Sequence, residues 1–309
     1  MATVTTGGSG RWPRRPQVAL AERIAQNLYR SVAAVEWVPS DEADVFRLTF
    51  SSELEPRYLK LPIQGIGAVW REVAMLPALR ARGFPVLEFE HRTGDLPDAG
   101  IEFHITREVE HVAGAGLVAG DPPAGHRLAT QLGRIVRRLE GLDARMIPGS
   151  GRWNRRRSDW WRPQYRALIG DRRWPATARS WAERILGRLD TPPAGFGGWY
   201  GEMLIRSDGS FVMIDWTTAG ANWAGAQAAG AMEVLAGFGG EHSGELIQRF
   251  LHGYAPAGLE PPELDELRLW TVHGSLGWAM LRPPTEEEIR LATNGMHRCA
   301  ISDDPAEWF

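Results

Sequence analysis

Lysine is nearly missing from this chain of 309 residues. Lys and Arg together number 35, and a single one, Lys60, is lysine, which leaves 34 arginines. Cysteine is as scarce: Cys299 stands alone, so no intrachain disulfide can form and a reducing, cytoplasmic setting is expected. No run of about 18 apolar residues occurs, which argues against a membrane-spanning helix and a membrane partner. Residues 1–15 are rich in Gly, Thr and Arg and lack the apolar core of a signal peptide. A large charge excess is also missing. The net charge of −3 gives no global pull toward nucleic acid, which is not expected as a partner. The eight histidines show no metal-ligand spacing and read as structural. A hydrophobic share of 43% with 24% charged residues excludes a mainly disordered, collagen-like or coiled-coil chain and leaves a folded protein of one or two units.

The scarcity of lysine gives Lys60 its interest. Codon bias explains the excess of arginine, because the two cations exchange freely at most solvated sites. They do not exchange where a compact ammonium must fit among crowded oxygens, since the planar guanidinium is larger and forks its donors. Lys60 is therefore either a chance survivor or a lysine standing where arginine fails.

The pattern along the chain is α+β. Residues 1–16 read as a flexible arm, 17–110 as a small strand-rich unit and 111–309 as a larger helical one. Leu20, Ile24 and Leu28 recur every four residues and predict a helix from Gln17 to about Val35. Val45–Phe50 and Arg57–Leu61 read as strands joined by a turn, with Lys60 near the end of the second. A helix is expected over Ala68–Arg82, stopped by Gly83, and a strand over Ile101–Arg107. Glu108–Gly125, with its Pro122–Pro123 pair, reads as a connector. Then come an amphipathic helix over Arg127–Leu142 and an irregular Gly/Pro segment over Thr191–Gly201. Glu202–Arg206 and Ser210–Ile214 form a hairpin about Ser207–Asp208–Gly209 and run into Asp215. Three helices are expected between Ala224 and Leu281, and one more beyond Pro284.

Two constellations carry chemistry. Glu72, on the helix after Lys60, can hold the ammonium toward the phosphates of a nucleotide; it can equally be a solvated helix residue. Glu202 and Asp215 flank the hairpin, and two converging carboxylates suit Mg²⁺, although acids flank many hairpins.

The ordered set resembles the aminoglycoside phosphotransferase and choline kinase-like branch of the protein-kinase-like fold. Arg82-Gly83-Phe84-Pro85-Val86 is similar to the phrase that ends the family's glutamate helix. Ile214-Asp215-Trp216 is similar to the phrase bearing its metal-binding aspartate. Gly201-Glu202-Met203-Leu204-Ile205 stands where the family has Gly-Asn and hydrophobic residues, and Leu246–Tyr254 is similar to a later helix. The resemblance covers roughly residues 20–282. It implies a two-lobed fold with a strand-rich N-lobe and a helical C-lobe. It implies ATP and Mg²⁺ as cofactors, bound by Lys60, Glu72, Asp215 and Glu202, with Asp215 and Glu202 as catalytic and metal residues. It also implies transfer of phosphate to a hydroxyl of a small molecule that the sequence does not identify.

The chain departs from that pattern in the loop His-Gly-Asp-x-x-x-x-Asn. Gly195 stands at its histidine, Gly197 at the aspartate that takes the substrate proton, and Glu202 at its asparagine. Gln227 stands at a later acid, and no glycine-rich loop precedes Val45. A general base is worth about 10²–10⁴-fold, whereas phosphoryl transfer depends mostly on positioning and charge neutralisation. A slow kinase-like phosphotransferase and a pseudokinase without turnover are both compatible with that loss, as is adenylyl transfer. Asp190 and Tyr200 are candidate substitute bases. The Trp- and Arg-rich stretch 152–181 reads as substrate-binding helices, a nucleic-acid patch, or helices packed by tryptophan and covered by arginine.

Overall fold

The computed structural model describes residues 16–40, 43–63, 69–150, 153–193, 195–199, 201–216 and 218–309, with 153–158 described as helix only. The expected arm, Pro16 excepted, and Tyr200 lie outside the described residues. The chain divides after Ala113 into two compact units.

The first unit is built on a five-stranded antiparallel sheet. Helix α1 (Val18–Leu28) precedes β1 (Val32–Val38), β2 (Ala43–Phe50) and β3 (Arg57–Pro62). Helix α2 (Val69–Ala81), β4 (Phe89–Arg92) and β5 (His104–Arg107) follow. The sheet order is β1-β2-β3-β5-β4. Alternation along the strands buries Phe46, Leu48, Leu59, Leu61 and Ile105 on one face, against Ala21, Ile24 and Ala25 of α1. Each large side chain buried there contributes roughly 1.5–3 kcal/mol.

The helix expected to reach Val35 ends at Leu28. Val32, Val35, Trp37 and Val38 instead pair with β2, in the register Val35↔Leu48 and Val38↔Val45. A run of β-branched and aromatic residues with a partner strand overrides a local period of four. The expected strand from Ile101 starts only at His104.

The second unit is mainly helical: α3 (Gly114–Gly120), α4 (Pro122–Glu140), α5 (Trp153–Gly170) and α6 (Ala176–Leu189). Four short strands follow: β6 (Gly195–Gly197), β7 (Met203–Ile205), β8 (Phe211–Met213) and β9 (Gly220–Asn222). Helices α7 (Ala226–Gly239), α8 (Ser243–Tyr254), α9 (Pro261–Ala279) and α10 (Glu286–Ile301) complete it. Leu128, Leu132 and Val136 of α4 and Leu246, Ile247 and Phe250 of α8 are buried where those helices pack together.

Two expectations are corrected here. The supposed connector Glu108–Gly125 contains α3 and the start of α4. The Asp121 side chain caps α4 by accepting from the Ala124 N–H at 3.0 Å. Pro122 and Pro123 occupy the first turn, where a missing N–H leaves no bond unmade. The supposedly irregular segment Thr191–Gly201 contains β6, which pairs with β9 in the register Gly197↔Gly220. Its glycines have a steric reason: a Cβ on Gly195 would lie 2.3 Å from the Glu140 carbonyl oxygen.

Candidate functional site

In the first unit, β3 presents Lys60 directly opposite His104 of β5, and α2 brings Glu72 to both. The Lys60 ammonium donates to Glu72 Oε1 at 3.1 Å and lies 3.1 Å from Oε2. Imidazole Nε2 of His104 is 3.0 Å from Oε2. The Glu72 and His104 side chains are buried, with 3% and 4% of their surface exposed, and Lys60 keeps 13%. Glu72 is therefore no solvated helix residue; the carboxylate expected to meet Lys60 meets it. His104 was missed by sequence reasoning. Only the pairing of β3 with β5 places it there, although a histidine within the strand-like run Ile101–Arg107 was a usable sign.

In the second unit, β7 and β8 form a hairpin with Met203 opposite Met213. The Ile214 N–H donates to the Glu202 carbonyl at 3.0 Å, so Glu202 and Asp215 emerge at the same open end. Glu202 is exposed and Asp215 half-buried. Asp215 is the sole described non-glycine residue with positive φ, at 55°. That left-handed conformation is one Asp tolerates better than most residues, and strain of this kind gathers at functional positions.

The preceding loop is held by groups to which sequence reasoning gave no such role. The Trp199 indole N–H is shared between the carbonyls of Glu202 and Ile214, at 3.0 and 2.9 Å. Gln227 of α7 accepts from the Trp199 N–H at 3.0 Å and donates to its carbonyl. Trp216 stacks with both Phe196 and Trp199, with ring centroids 6.3 and 6.1 Å away. The loop is thus fixed by one amide side chain from α7 and by an aromatic stack beneath it.

Gly197 carries no base, and the space in front of it is filled. A Cβ there would lie 2.8 Å from Asn222 Nδ2 and 3.1 Å from Gln227 Oε1. Of the candidate substitute bases, Asp190 is engaged by Arg162 at 3.0 Å. In the Trp/Arg stretch, Trp174 and Trp181 are buried and Arg184 lies over the Trp181 ring at 4.1 Å. Both are packing residues, and arginine covers Trp181. Trp160 is 47% exposed, and the Trp153 side chain lies outside the described residues.

Among the described residues no group of three or more His, Cys, Asp or Glu side chains is arranged to hold a metal ion. Glu202 and Asp215 nevertheless suit Mg²⁺ by donor type, since that ion keeps several waters and takes one or two carboxylates plus substrate phosphates. No described helix is long and apolar enough to cross a membrane.

No protein-family model matches the chain, and no curated protein matches it in sequence. Solved structures match it along nearly its whole length. One is the macrolide 2'-phosphotransferase of Brachybacterium faecium, 16% identical with a TM-score of 0.53, covering 94% of this chain and 97% of that one. A microcompartment-associated aminopropanol kinase is 15% identical with a TM-score of 0.58, covering 94% and 100%. The choline kinase of Cryptosporidium parvum is 11% identical with a TM-score of 0.53, covering 91% and 95%. Identities this low speak for fold alone: the chain has the kinase-like fold of small-molecule phosphotransferases, α+β, with a strand-rich part followed by a helical one.

Proposed function

We propose that this protein binds Mg-ATP and is a slow phosphotransferase toward a hydroxyl of a small molecule. The observation that carries this reading is the buried pairing of the chain's single lysine with Glu72. In kinase-like folds such a pair sets an ammonium on the α/β-phosphates. Asp215 is the principal Mg²⁺ ligand in this reading and Glu202 shares the ion. Bound there, Mg²⁺ would neutralise charge on the phosphate oxygens. Lys60 orients the triphosphate, Glu72 holds Lys60, and the Trp199–Gln227 latch keeps the loop before Glu202 in one conformation.

Transfer breaks the bond from the γ-phosphorus to the β,γ-bridging oxygen and makes one to the acceptor oxygen. The acceptor proton must then leave. Gly197 cannot take it, and the filled space before Gly197 leaves no room for a side chain that could. Turnover well below the ~1–100 s⁻¹ of ordinary kinases is therefore expected. The same filled space favours a second reading, a pseudokinase that binds nucleotide without turnover.

The test is ATP consumption with and without a mixture of hydroxylated metabolites, with Asp215→Asn as the blank, beside calorimetry of Mg-ATP binding. Heat of binding that is weakened in Lys60→Arg, with metabolite-dependent ATP loss absent from the blank, supports the phosphotransferase. Binding without ATP loss leaves the pseudokinase. No binding at all sinks both.

A further inference from the structure

We infer that His104 is a positioning residue of the nucleotide site, holding Glu72 in place when Lys60 turns to phosphate. This inference rests on the nucleotide reading above and deepens it.

The bonding at Glu72 assigns the imidazole proton. An ionised carboxylate only accepts hydrogen bonds, so Nε2, 3.0 Å from Oε2, carries the hydrogen. Nδ1 then faces the interior; it is buried and has no hydrogen-bond partner. The ring lies against Phe89, with centroids 4.7 Å apart. A leucine would fill this cross-strand position and avoid burying an unpartnered nitrogen. What a histidine supplies and a leucine lacks is the Nε2–H aimed at Glu72.

That donor matters when the ammonium is shared. At rest Lys60 contacts both Glu72 oxygens. When the ammonium swings toward a polyphosphate, a buried carboxylate whose cation withdraws would follow it or resist the move, because pulling a buried ion pair apart is strongly disfavoured. With His104 still bonded to Oε2, the carboxylate keeps a partner and stays where it is. The ammonium can then serve Glu72 and phosphate together. The fixed strand register, Lys60 directly opposite His104, sets both groups on the carboxylate.

The single lysine makes the test direct. In protein grown with ¹³Cε-lysine, one ε-CH₂ cross-peak reports Lys60 alone, and calorimetry reports Mg-ATP affinity. Three variants are compared: His104→Leu removes the donor, His104→Asn places an amide too short to reach Glu72, and His104→Gln places one at about the Nε2 position. Losing a hydrogen bond to a charged group predicts on the order of tenfold weaker Mg-ATP binding in the Leu and Asn variants. The Gln variant should stay within about twofold of wild type. The Lys60 cross-peak of the nucleotide-free protein should move in the first two and return in the third. Should the Leu variant not fold, the Asn and Gln pair carries the comparison. Equal affinity and an unmoved cross-peak in the Asn variant overturn the inference while the nucleotide reading stands. Wild-type protein showing neither heat nor cross-peak movement with Mg-ATP overturns the nucleotide reading and this inference with it.

Discussion

Asn222 fills the space before Gly197: a Cβ added to the glycine would sit 2.8 Å from the Asn222 amide nitrogen and 3.2 Å from its Cβ. The residues belong to paired strands, so neither can withdraw far. Gly197→Asp, which adds an acid to the loop, is therefore expected to be an overpacking change, destabilising by about 1–3 kcal/mol. Backbone conformation is not the obstacle, because Gly197 is absent from the residues with positive φ. Thermal unfolding of Gly197→Asp, Asn222→Ala and the double variant checks this. The double variant should recover stability that Gly197→Asp loses. Full stability of Gly197→Asp alone would mean that the acid turns away from Asn222.

A second expectation concerns the buried pair. Glu72→Ala removes the carboxylate from an ammonium that is 13% exposed. Breaking a buried ion pair from one side typically costs about 3–5 kcal/mol. Glu72→Gln, which still accepts a hydrogen bond from Lys60, should lose less. Replacing both charges, as in Lys60→Met with Glu72→Leu, should restore part of the loss, although in the proposed reading it ends nucleotide binding. Urea unfolding of these proteins and of the single variants Lys60→Met and Glu72→Leu decides the matter, and an additive double variant would mean that the pair is not coupled.

The parts legible in the sequence were those with local signals. The β7–β8 hairpin announced itself in Ser207-Asp208-Gly209, and the turn closes with the Gly209 N–H on the Arg206 carbonyl at 2.9 Å. Lys60 stood out by rarity, and Glu72 followed from a helix one turn into its course. Contacts set by strand register could not be read. His104 lies 44 positions beyond Lys60, and only the β3–β5 pairing joins them. Asn222 and Gln227 reach the loop in the same nonlocal way. Strand β6 stayed hidden because Gly-Phe-Gly has little strand propensity of its own; close approach to the Glu140 carbonyl selects Gly195, and crowding by Asn222 and Gln227 selects Gly197. The α1–β1 boundary was misplaced because an i, i+4 period continued by chance into residues that pair as a strand.

Asp215 offers a test in which backbone and charge separate. At φ 55° it sits in the left-handed region. Asn tolerates that region nearly as well as Asp, whereas Ala meets a penalty of roughly 1–2 kcal/mol. Asp215→Asn should therefore unfold close to wild type while losing Mg²⁺-dependent nucleotide binding. Asp215→Ala should lose both binding and stability, which makes it the poorer blank. Melting temperatures and calorimetry with and without Mg²⁺ give the answer. Undiminished Mg²⁺ dependence in Asp215→Asn would remove Asp215 from the proposed metal site.

The last expectation is a pH dependence centred on Glu140, at the end of α4. Its Oε1 accepts the N–H groups of Gln227 and Ala228 at 3.0 and 3.2 Å, and its Oε2 accepts the Tyr254 hydroxyl at 2.6 Å. The carboxyl thus caps the start of α7 from another helix. Two influences oppose each other. The three donors favour the charged form, and burial disfavours it; burial prevails and raises the Glu140 carboxyl above the usual carboxylate value of 4.5. With the folded-state value raised, the folded protein binds more protons than the unfolded chain over the interval between the two values. Stability then falls as pH rises through that interval, beginning near 4.5, and levels off above the folded-state value. Glu140→Gln cannot titrate, yet its amide oxygen can accept the two backbone N–H groups and its NH₂ can donate to the Tyr254 oxygen. The stability of this variant relative to wild type should therefore rise with pH across the interval and stay constant above it. Urea unfolding of both proteins at a series of pH values measures the difference. A relative stability that falls with pH instead would show that the three donors outweigh burial and hold the carboxyl ionised.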